Sequence, residues 1–274
     1  MRELQREIIE EMGVQPTIEP AVEVERRVRF LQDYLRATHT KGFVLGISGG
    51  LDSTLAGRLA QLAVEGLIAE GVEVDFVAVR LPYGVQADEA DAQAAMDFIG
   101  ARTEWTFNIA AGVDGLSSEF AATTGHPISD FNRGNVKARM RMVAQYALAG
   151  ERNLLVIGTD HGAESVVGFF TKFGDGGADI LPLYGLNKEQ NRQLLRHLGA
   201  PERLWSKVPT ADLLDGRPGR TDEDELGISY DDIDAYLEGR EVPEAAAEVI
   251  EEKFQRSRHK RTTPVTIMDS WWRN

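Results

Sequence analysis

Residues 48–53, Ser-Gly-Gly-Leu-Asp-Ser, carry the groups in this chain that are best placed for chemistry. An apolar run at 43–47 predicts a buried strand before them, and the spacing from Thr54 onward predicts a helix after them. A glycine turn between a strand and a helix presents backbone N–H groups without partners, where the helix dipole favours anions. Bound phosphates would repel Asp52 unless a divalent cation bridged them. The segment therefore predicts a nucleotide site that uses Mg²⁺.

Three known loop patterns compete for this segment. A Walker A loop needs a lysine, and the sequence has none between Lys41 and Lys137. The nucleophile elbow of serine hydrolases, G-x-S-x-G, matches residues 46–50 with Ser48 as nucleophile. A hydrolase would also need an Asp and a His near Ser48. Four histidines could supply the latter, so this alternative stays open: His126, His161, His197 and His259. The third pattern, S-G-G-x-D-S, fits completely, and Asp52 favours it.

Alternating strands and helices must position this loop. Strands are predicted at 43–47, 74–81, 103–108 and 153–158, and helices at 54–70, 87–99 and 130–149. This order predicts an α/β fold, a doubly wound parallel sheet with helices on both faces in a single domain. Ligands of such sheets bind at the carboxyl ends of the strands. Residues 48–53 and 159–164 both leave strands at those ends, so we expect them to face one site.

Several further elements follow from spacing and composition. Residues 1–20 are expected to form an arm that packs on the body or on a partner. The helix at 130–149 is expected to turn Val136, Met140, Val143 and Ala147 inward. Later helices are predicted at 187–199, 230–237 and 244–258. The polar stretch 207–226 predicts a mobile loop, with its acidic run at 222–225 solvated.

Composition limits the class of protein. The 274 residues carry a formal charge of −14, which argues against broad binding to nucleic acids or anionic membranes. No stretch approaches the ~20 apolar residues of a membrane span, and the charged N-terminus does not resemble a signal peptide. The absence of Cys excludes disulfides and cysteine nucleophiles, and it is compatible with the cytoplasm.

Residues 48–53 resemble the PP-loop of ATP pyrophosphatases, and segments along nearly the whole chain together resemble the ammonia-dependent NAD synthetases. These segments, each weak alone but specific in this order, lie at 128–139, 158–161, 168–177, 182–188, 209–213 and 259–261. The resemblance implies that ATP, as co-substrate, adenylates the carboxylate of deamido-NAD. Ammonia would then displace AMP and give NAD. It also implies a homodimer with the dinucleotide bound across the interface.

The resemblance further implies roles for individual residues. The residues expected to bind ATP are Gly46, Ile47, Ser48, Gly49, Gly50, Leu51, Asp52, Ser53, Thr159, Lys188 and Thr210. The residues expected to bind deamido-NAD are Arg139, Lys172, Asp179, His259 and Lys260. Asp52 and Glu164 would hold Mg²⁺, and Asp52 and Lys188 would take part in catalysis. Asp175 would handle the proton of the ammonium ion.

Other activities remain to be distinguished. Glutamine-dependent relatives carry an additional nitrilase-like domain with a catalytic cysteine, which this sequence lacks, so free or delivered ammonia is the expected nitrogen source. A PP-loop enzyme with a different acceptor is the alternative within the class. A serine hydrolase on Ser48 and a nucleotide-binding module without turnover are the alternatives outside it. His161 next to Asp160 is not expected to form a charge relay, because chain neighbours seldom face each other.

Overall fold

A parallel sheet of four strands forms the centre of the computed structural model, which describes residues 1–84, 89–207 and 221–273. The strands are β1 (Gly42–Gly46), β2 (Asp75–Arg80), β3 (Thr103–Thr106) and β4 (Leu155–Val156), in the spatial order β3-β2-β1-β4. Val44 pairs with Val77 on one side and with Val156 on the other. The chain order therefore reverses between β1 and β4, which is where a sheet of this kind binds ligands.

Helices cover the sheet and extend beyond it. In chain order they are α1 (Glu3–Met12), α2 (Pro20–Thr38), α3 (Leu51–Ala69), α4 (Glu89–Ile99), α5 (Ala110–Thr124), α6 (Asp130–Arg152), α7 (Gly162–Val167), α8 (Lys188–His197), α9 (Glu202–Ser206), α10 (Asp222–Leu226), α11 (Tyr230–Leu237), α12 (Glu244–Arg256) and α13 (Arg258–Arg261).

The central strands β1 and β2 are buried on both faces, whereas the edge strand β3 is partly exposed. Successive side chains of a strand point to opposite faces, so alternate residues of β1 enter two different cores. Phe43 and Leu45 pack in a core with α2, α3, α4 and α8, whereas Val44 packs in a core with residues of α5 and α6. This arrangement confirms the predicted α/β fold with a parallel sheet between helical layers.

A third apolar cluster joins the N-terminal and C-terminal helices. Ile8 and Met12 of α1 are fully buried against α7, α11 and α12, where they meet Ile233 and Ile250. The N-terminal segment thus packs on the body of the chain. This cluster anchors α7, whose first turn carries Glu164.

The expectation for α6 is right for Val136, which is buried, and for Met140, which packs against the core, and it is wrong for Val143 and Ala147. The buried face of α6 passes through Val136 and Ala144, while Val143 is half exposed and Ala147 is exposed. Each residue turns a helix by about 100°, so a one-residue offset moves a side chain to another face. Helix α5 was not predicted, because it buries only Val113 and therefore has no apolar period.

The acidic run also differs from the expectation. Instead of ending a loop, residues 222–226 form helix α10, whose first turn is capped by the Thr221 hydroxyl accepting from the N–H of Asp224. Asp222 is only 6% exposed, since the hydroxyl of Tyr230 donates to it, whereas Glu223 to Glu225 are solvated as expected. Most of the predicted loop, at 208–220, lies outside the described residues, as do residues 85–88, which include the predicted start of the second helix.

Within the described ranges, every helix is too short or too polar to cross a membrane.

Candidate active site

The glycine turn connects β1 to the first turn of α3. Ser48 and Ser53 hold it closed: their hydroxyl oxygens lie 3.0 Å apart, and the N–H of Ser48 donates to the Ser53 hydroxyl at 3.2 Å. The Thr54 hydroxyl donates to the carbonyl of Gly50 at 2.7 Å. The N–H groups of the first helical turn then face outward from the helix end, where they favour an anion.

Gly49 allows this turn to lie against α4. Its φ is +82°, and a Cβ there would lie 2.6 Å from the backbone nitrogen of Ala92. Because the clash involves backbone atoms and the left-handed region disfavours side chains, only glycine fits without a shift. The predicted phosphate loop thus depends on contact with a second helix.

Three helix starts converge in front of this loop. Asp52 lies in the first turn of α3, Glu164 in the first turn of α7, and Lys188 is the first residue of α8. Lys188 Nζ lies 2.8 Å from Asp52 Oδ2 and 3.2 Å from Glu164 Oε1. Lys188 is 1% exposed, so its ammonium group has exchanged water for the two carboxylates.

The start of α8 is fixed on several sides, which explains the position of Lys188. The Asn187 side chain accepts from the N–H of Gln190 at 2.8 Å, as a helix cap. Asp234 accepts from the N–H of Lys188 at 3.1 Å and from that of Glu189 at 2.8 Å. Burial raises the pKa of Asp234 to about 6, although the two N–H donors oppose that rise.

The buried charges shift one another's pKa values. Burial alone would raise the pKa of Glu164, but the charges of Lys188 and His161 outweigh it and hold that pKa at about 2. Burial opposes the charged form of Lys188, yet Asp52 and Glu164 raise its pKa above the usual lysine range. Lysine and glutamate therefore stay charged together, as a cation held by carboxylates.

Two further residues orient the carboxylates, and the sequence did not identify them as part of the site. His161 is fully buried, with Nε2 at 3.4 Å from both Asp52 Oδ1 and Glu164 Oε1. The Asn191 side chain donates to Asp52 Oδ1 at 2.9 Å. His161 precedes Glu164 by three residues, and Asn191 follows Lys188 by three, so helical spacing was a signal for both.

Tyr230 and Asp222 close the far side of the cluster. Lys188 Nζ lies 4.6 Å from the centre of the Tyr230 ring, in a cation–π contact. The Tyr230 hydroxyl lies 3.2 Å from Asp222 Oδ2. Burial raises the pKa of Asp222 to about 6, which the charge of Lys188 opposes. These two residues join the site from α10 and α11 and carry no motif that sequence analysis could recognise.

The cluster opens into a cavity of about 450 Å³ that also contains the glycine turn. Of the residues predicted to bind ATP, those that line this cavity are Gly46, Ile47, Ser48, Gly50, Leu51, Asp52, Ser53, Thr159 and Lys188. Thr210 lies outside the described residues. Glu164, Asp175 and Lys260 line the same cavity. Leu81, Arg141, Met142 and Gln145 also line the cavity and add apolar, amide and guanidinium groups to its wall.

Three of the residues predicted to bind deamido-NAD form a separate exposed chain of contacts. Arg139 donates to the carbonyl of Lys172 at 3.3 Å, and Lys172 Nζ donates to the carbonyl of His259 at 2.6 Å. Burial and the charges of Lys172 and Lys260 lower the pKa of His259. Lys260 Nζ donates to the carbonyls of Gly168 and Phe170, both at 2.8 Å, and so connects this chain to the cavity.

The two remaining predicted acids have different surroundings. Asp175 is an exposed residue that accepts from the N–H of Thr171 at 3.0 Å, and partial desolvation of its carboxyl group raises its pKa. Asp179 lies beside the sheet, where it accepts from the N–H of Val156 at 2.8 Å and from the Tyr146 hydroxyl at 3.0 Å. Asp175 thus lines the cavity, whereas Asp179 is held at the edge of β4.

The surroundings of Ser48 do not form a hydrolase triad. Its hydroxyl contacts the Ser53 hydroxyl and accepts from the N–H of Gly50 at 3.2 Å. In the parts of the chain that the structure describes, no hydrogen bond joins Ser48 to a histidine. His161 Nε2 instead faces Asp52, Glu164 and Lys188. The geometry favours an anion-binding turn over a nucleophile elbow.

Fold and site together define an α/β protein with a glycine turn and a charged cavity at the switch point of a parallel sheet. A family model described as NAD synthase matches residues 23–264. The NH₃-dependent NAD⁺ synthetase of Deinococcus radiodurans is 63% identical over 269 residues, which cover 98% of this chain and 94% of that protein. That of Nocardia farcinica is 60% identical over 274 residues and covers 100% of both chains. The chain belongs to the NAD synthase family.

Solved structures agree with this assignment. The crystal structure of NAD⁺ synthetase from Burkholderia pseudomallei superimposes with a TM-score of 0.82 at 50% identity, covering 95% of this chain and 97% of that chain. The structure of NMN synthetase from Francisella tularensis gives a TM-score of 0.80 at 35% identity, covering 92% and 100%. The same scaffold thus occurs in enzymes named for different products.

Proposed function

We propose that this protein is an ammonia-dependent NAD synthetase, which uses ATP to amidate deamido-NAD. The observation that carries the proposal is the joint position of the phosphate-binding turn and the Asp52–Lys188–Glu164 cluster in one cavity, within a member of the NAD synthase family. In the first step, a carboxylate oxygen of deamido-NAD attacks the α-phosphorus of ATP, and pyrophosphate leaves. In the second, ammonia attacks the resulting acyl carbon, AMP leaves with the oxygen, and a proton is released.

No side chain needs to form a covalent bond in this scheme. The turn at 46–53 and the first turn of α3 bind the phosphates, and the wall at Leu81 and Gln145 receives the base. Lys188 supplies positive charge where pyrophosphate departs. Catalysis then rests on orientation and on neutralisation of charge.

We propose that Asp52 and Glu164 hold Mg²⁺ with the nucleotide. The fit is supported by Lys188, whose ammonium group already lies between these two carboxylates, so the donor set accommodates a cation. Carboxylate oxygens are ligands that Mg²⁺ prefers. When bound, the ion supplies neutralisation of phosphate charge.

Deamido-NAD would bind along the Arg139–Lys172–His259 chain and reach the cavity at Lys260. The exposed cations Arg139 and Lys172 suit its pyrophosphate. Asp179, at the edge of β4, would also contact deamido-NAD. Asp175, which lines the cavity, would hold the ammonium ion and accept its proton, and the raised pKa of its carboxyl favours that role.

A homodimer is part of the proposal, with a second copy of this chain on the face made by α5 and α6. Large apolar side chains remain exposed there: Leu116 is 44%, Phe131 65% and Val143 50% exposed. Helix α5 buries only Val113 within its own chain, which leaves most of its surface for a partner. Analytical ultracentrifugation of the wild type and of Leu116→Glu tests this: the wild type should sediment as a dimer and the variant as a monomer. A monomeric wild type would contradict the homodimer.

We also propose a cytoplasmic location, where ATP is supplied.

One assay tests the activity. Purified protein is mixed with deamido-NAD, ATP, Mg²⁺ and ammonium, and NAD, AMP and pyrophosphate are followed together. We expect the three products in equal amounts, and Asp52→Asn should lower the rate by roughly 10² to 10³ because a charge that binds the cation is lost. Asp231→Asn, an exposed acid on α11, is the matched control and should leave the rate unchanged.

The neighbour named NMN synthetase makes nicotinate mononucleotide the informative alternative acceptor. We expect deamido-NAD to have the higher kcat/KM, since the relatives at about 60% identity carry the name NAD⁺ synthetase. A higher kcat/KM for nicotinate mononucleotide would instead identify the protein as an enzyme that makes NMN. AMP formation without either amide would keep the ATP chemistry and exclude both acceptors.

A further inference from the structure

His161 faces the cation-binding carboxylates with a ring nitrogen. Its Nε2 lies 3.4 Å from Asp52 Oδ1 and 3.4 Å from Glu164 Oε1. The side chain is fully buried, and His161 directly precedes the helix whose first turn carries Glu164. One donor atom from each of the three residues lies within 4.8 Å of the others. The nitrogen therefore cannot turn toward solvent and is held in the same small volume as the two carboxylates.

The distances suit ligands around an ion better than hydrogen bonds. Hydrogen bonds from a charged donor to a carboxylate are about 2.7 to 2.9 Å long, so 3.4 Å is long for that purpose. Donor atoms placed tetrahedrally about 2.1 Å from an ion lie about 3.4 Å from one another. Octahedral neighbours at this bond length lie about 3.0 Å apart. A small movement of either carboxylate would bring the donor atoms from the tetrahedral to the octahedral separation.

Lys188 marks where such a cation is favourable. Its ammonium nitrogen lies 2.8 Å from Asp52 Oδ2, 3.2 Å from Glu164 Oε1 and 3.4 Å from His161 Nε2. The same three side chains therefore surround a positive charge in this structure. A metal ion needs the lone pair of His161 Nε2, so the imidazole would be neutral when the cation is bound.

We infer that His161 Nε2 is a third, nitrogen ligand of the cation held by Asp52 and Glu164. This inference rests on the proposed function only in assigning a cation to those two carboxylates. Imidazole favours transition metals over Mg²⁺, whereas a site made of carboxylates alone suits Mg²⁺ and Mn²⁺ alike. The site should therefore bind Mn²⁺ at least about tenfold more tightly than Mg²⁺. Lys188 would yield its carboxylate contacts to the metal and remain on the Tyr230 ring.

Mn²⁺ is the probe, because its unpaired electrons report on the nuclei of its ligands. The protein is loaded with Mn²⁺ and α,β-methylene-ATP, which cannot be cleaved between the α- and β-phosphates. Pulsed electron paramagnetic resonance then measures coupling to phosphorus and to nitrogen. Protein labelled with ¹⁵N only in histidine separates an imidazole ligand from the adenine ring, without any substitution that could disturb folding.

We expect ³¹P coupling together with a nitrogen coupling that changes from ¹⁴N to ¹⁵N with the label. His161→Gln should lose the nitrogen coupling and bind Mn²⁺ about tenfold more weakly, while His197→Gln, on the exposed side of α8, should match the wild type. Phosphorus coupling without histidine coupling would overturn the nitrogen ligand and leave the proposed cation site intact. Loss of both couplings, or binding unaffected by Asp52→Asn, would contradict the cation site itself and with it the ligand.

Discussion

Lys188 Nζ and Asp52 Oδ2 are 2.8 Å apart although the two residues lie 136 positions apart in the chain. The contact joins the first turn of α3 to the first turn of α8, and Glu164 adds the first turn of α7. Each of these helix ends favours negative charge, so two carboxylates and the phosphates of a nucleotide can share the space. Lys188 balances the carboxylates while no nucleotide is bound.

Lys188→Met should destabilise the protein strongly. The substitution leaves Asp52 and Glu164 close together without their cation, and removing one partner of a buried ion pair costs about 3 to 5 kcal/mol of the free energy of unfolding. Urea unfolding at pH 7 measures the loss. The double variant Lys188→Met with Glu164→Gln is the control, and it should be more stable than the single variant because one unpaired charge is gone. Equal stability of the two would show that the contact is not an effective ion pair.

The loss of stability at acid pH should reveal the protonation of Glu164. Lys188 and His161 overcome the effect of burial and lower the pKa of Glu164 from 4.5 to about 2. Between these two pH values the unfolded chain binds the proton more readily than the folded one, so stability falls as the pH decreases. The contribution, on the order of 3 kcal/mol, is complete above pH 4.5 and lost near pH 2. The difference in unfolding free energy between the wild type and Glu164→Gln should therefore shrink across this window. A constant difference would contradict the lowered pKa.

Asp175→Asn should separate the two chemical steps. Asparagine keeps the oxygen that accepts from the N–H of Thr171, so the loop can keep its shape, but it cannot accept a proton. Single-turnover measurements should show pyrophosphate release at the rate of the wild type and NAD formation about 10²-fold slower. Equal slowing of both steps would assign Asp175 to ATP binding or to structure instead.

How much of the structure the sequence predicted depends on whether a feature is visible in a local sequence pattern or arises from contacts between distant residues. Apolar runs and periodicity depend on burial by neighbouring elements, and they located the four strands and helices such as Tyr230–Leu237. The same logic failed for α5, which has little of its surface in the core of its own chain. At the site, glycine spacing pointed to Asp52 and strand ends to the segment 159–164, whereas Glu164 itself was identified by the family resemblance. Tyr230 and Asp222 could not be foreseen, because they reach Lys188 only through the packing of α10 and α11 on the third cluster.

Asp160 should limit stability at alkaline pH, and Asp160→Asn should relieve that limit. Its Oδ1 is buried and has no hydrogen-bond partner among the residues that the structure describes. Burial and the charge of Glu164 raise the pKa of Asp160 from 3.8 to about 7. The folded protein thus binds this proton more tightly than the unfolded chain does, so stability falls as the pH rises from 3.8 to about 7. Above pH 7 the ionised carboxylate costs its full amount, about 2 to 4 kcal/mol.

An amide carries no charge at any of these pH values. Asp160→Asn should therefore unfold at a higher temperature than the wild type at pH 8, by a margin that shrinks toward pH 4. Differential scanning calorimetry at both pH values measures the margin. Asp231→Asn, which removes an exposed carboxylate from α11, should show no comparable pH dependence. If Asp160→Asn is no more stable at pH 8 than at pH 4 relative to the wild type, Asp160 is ionised without cost, and a water molecule or a neighbouring donor must satisfy its buried oxygen.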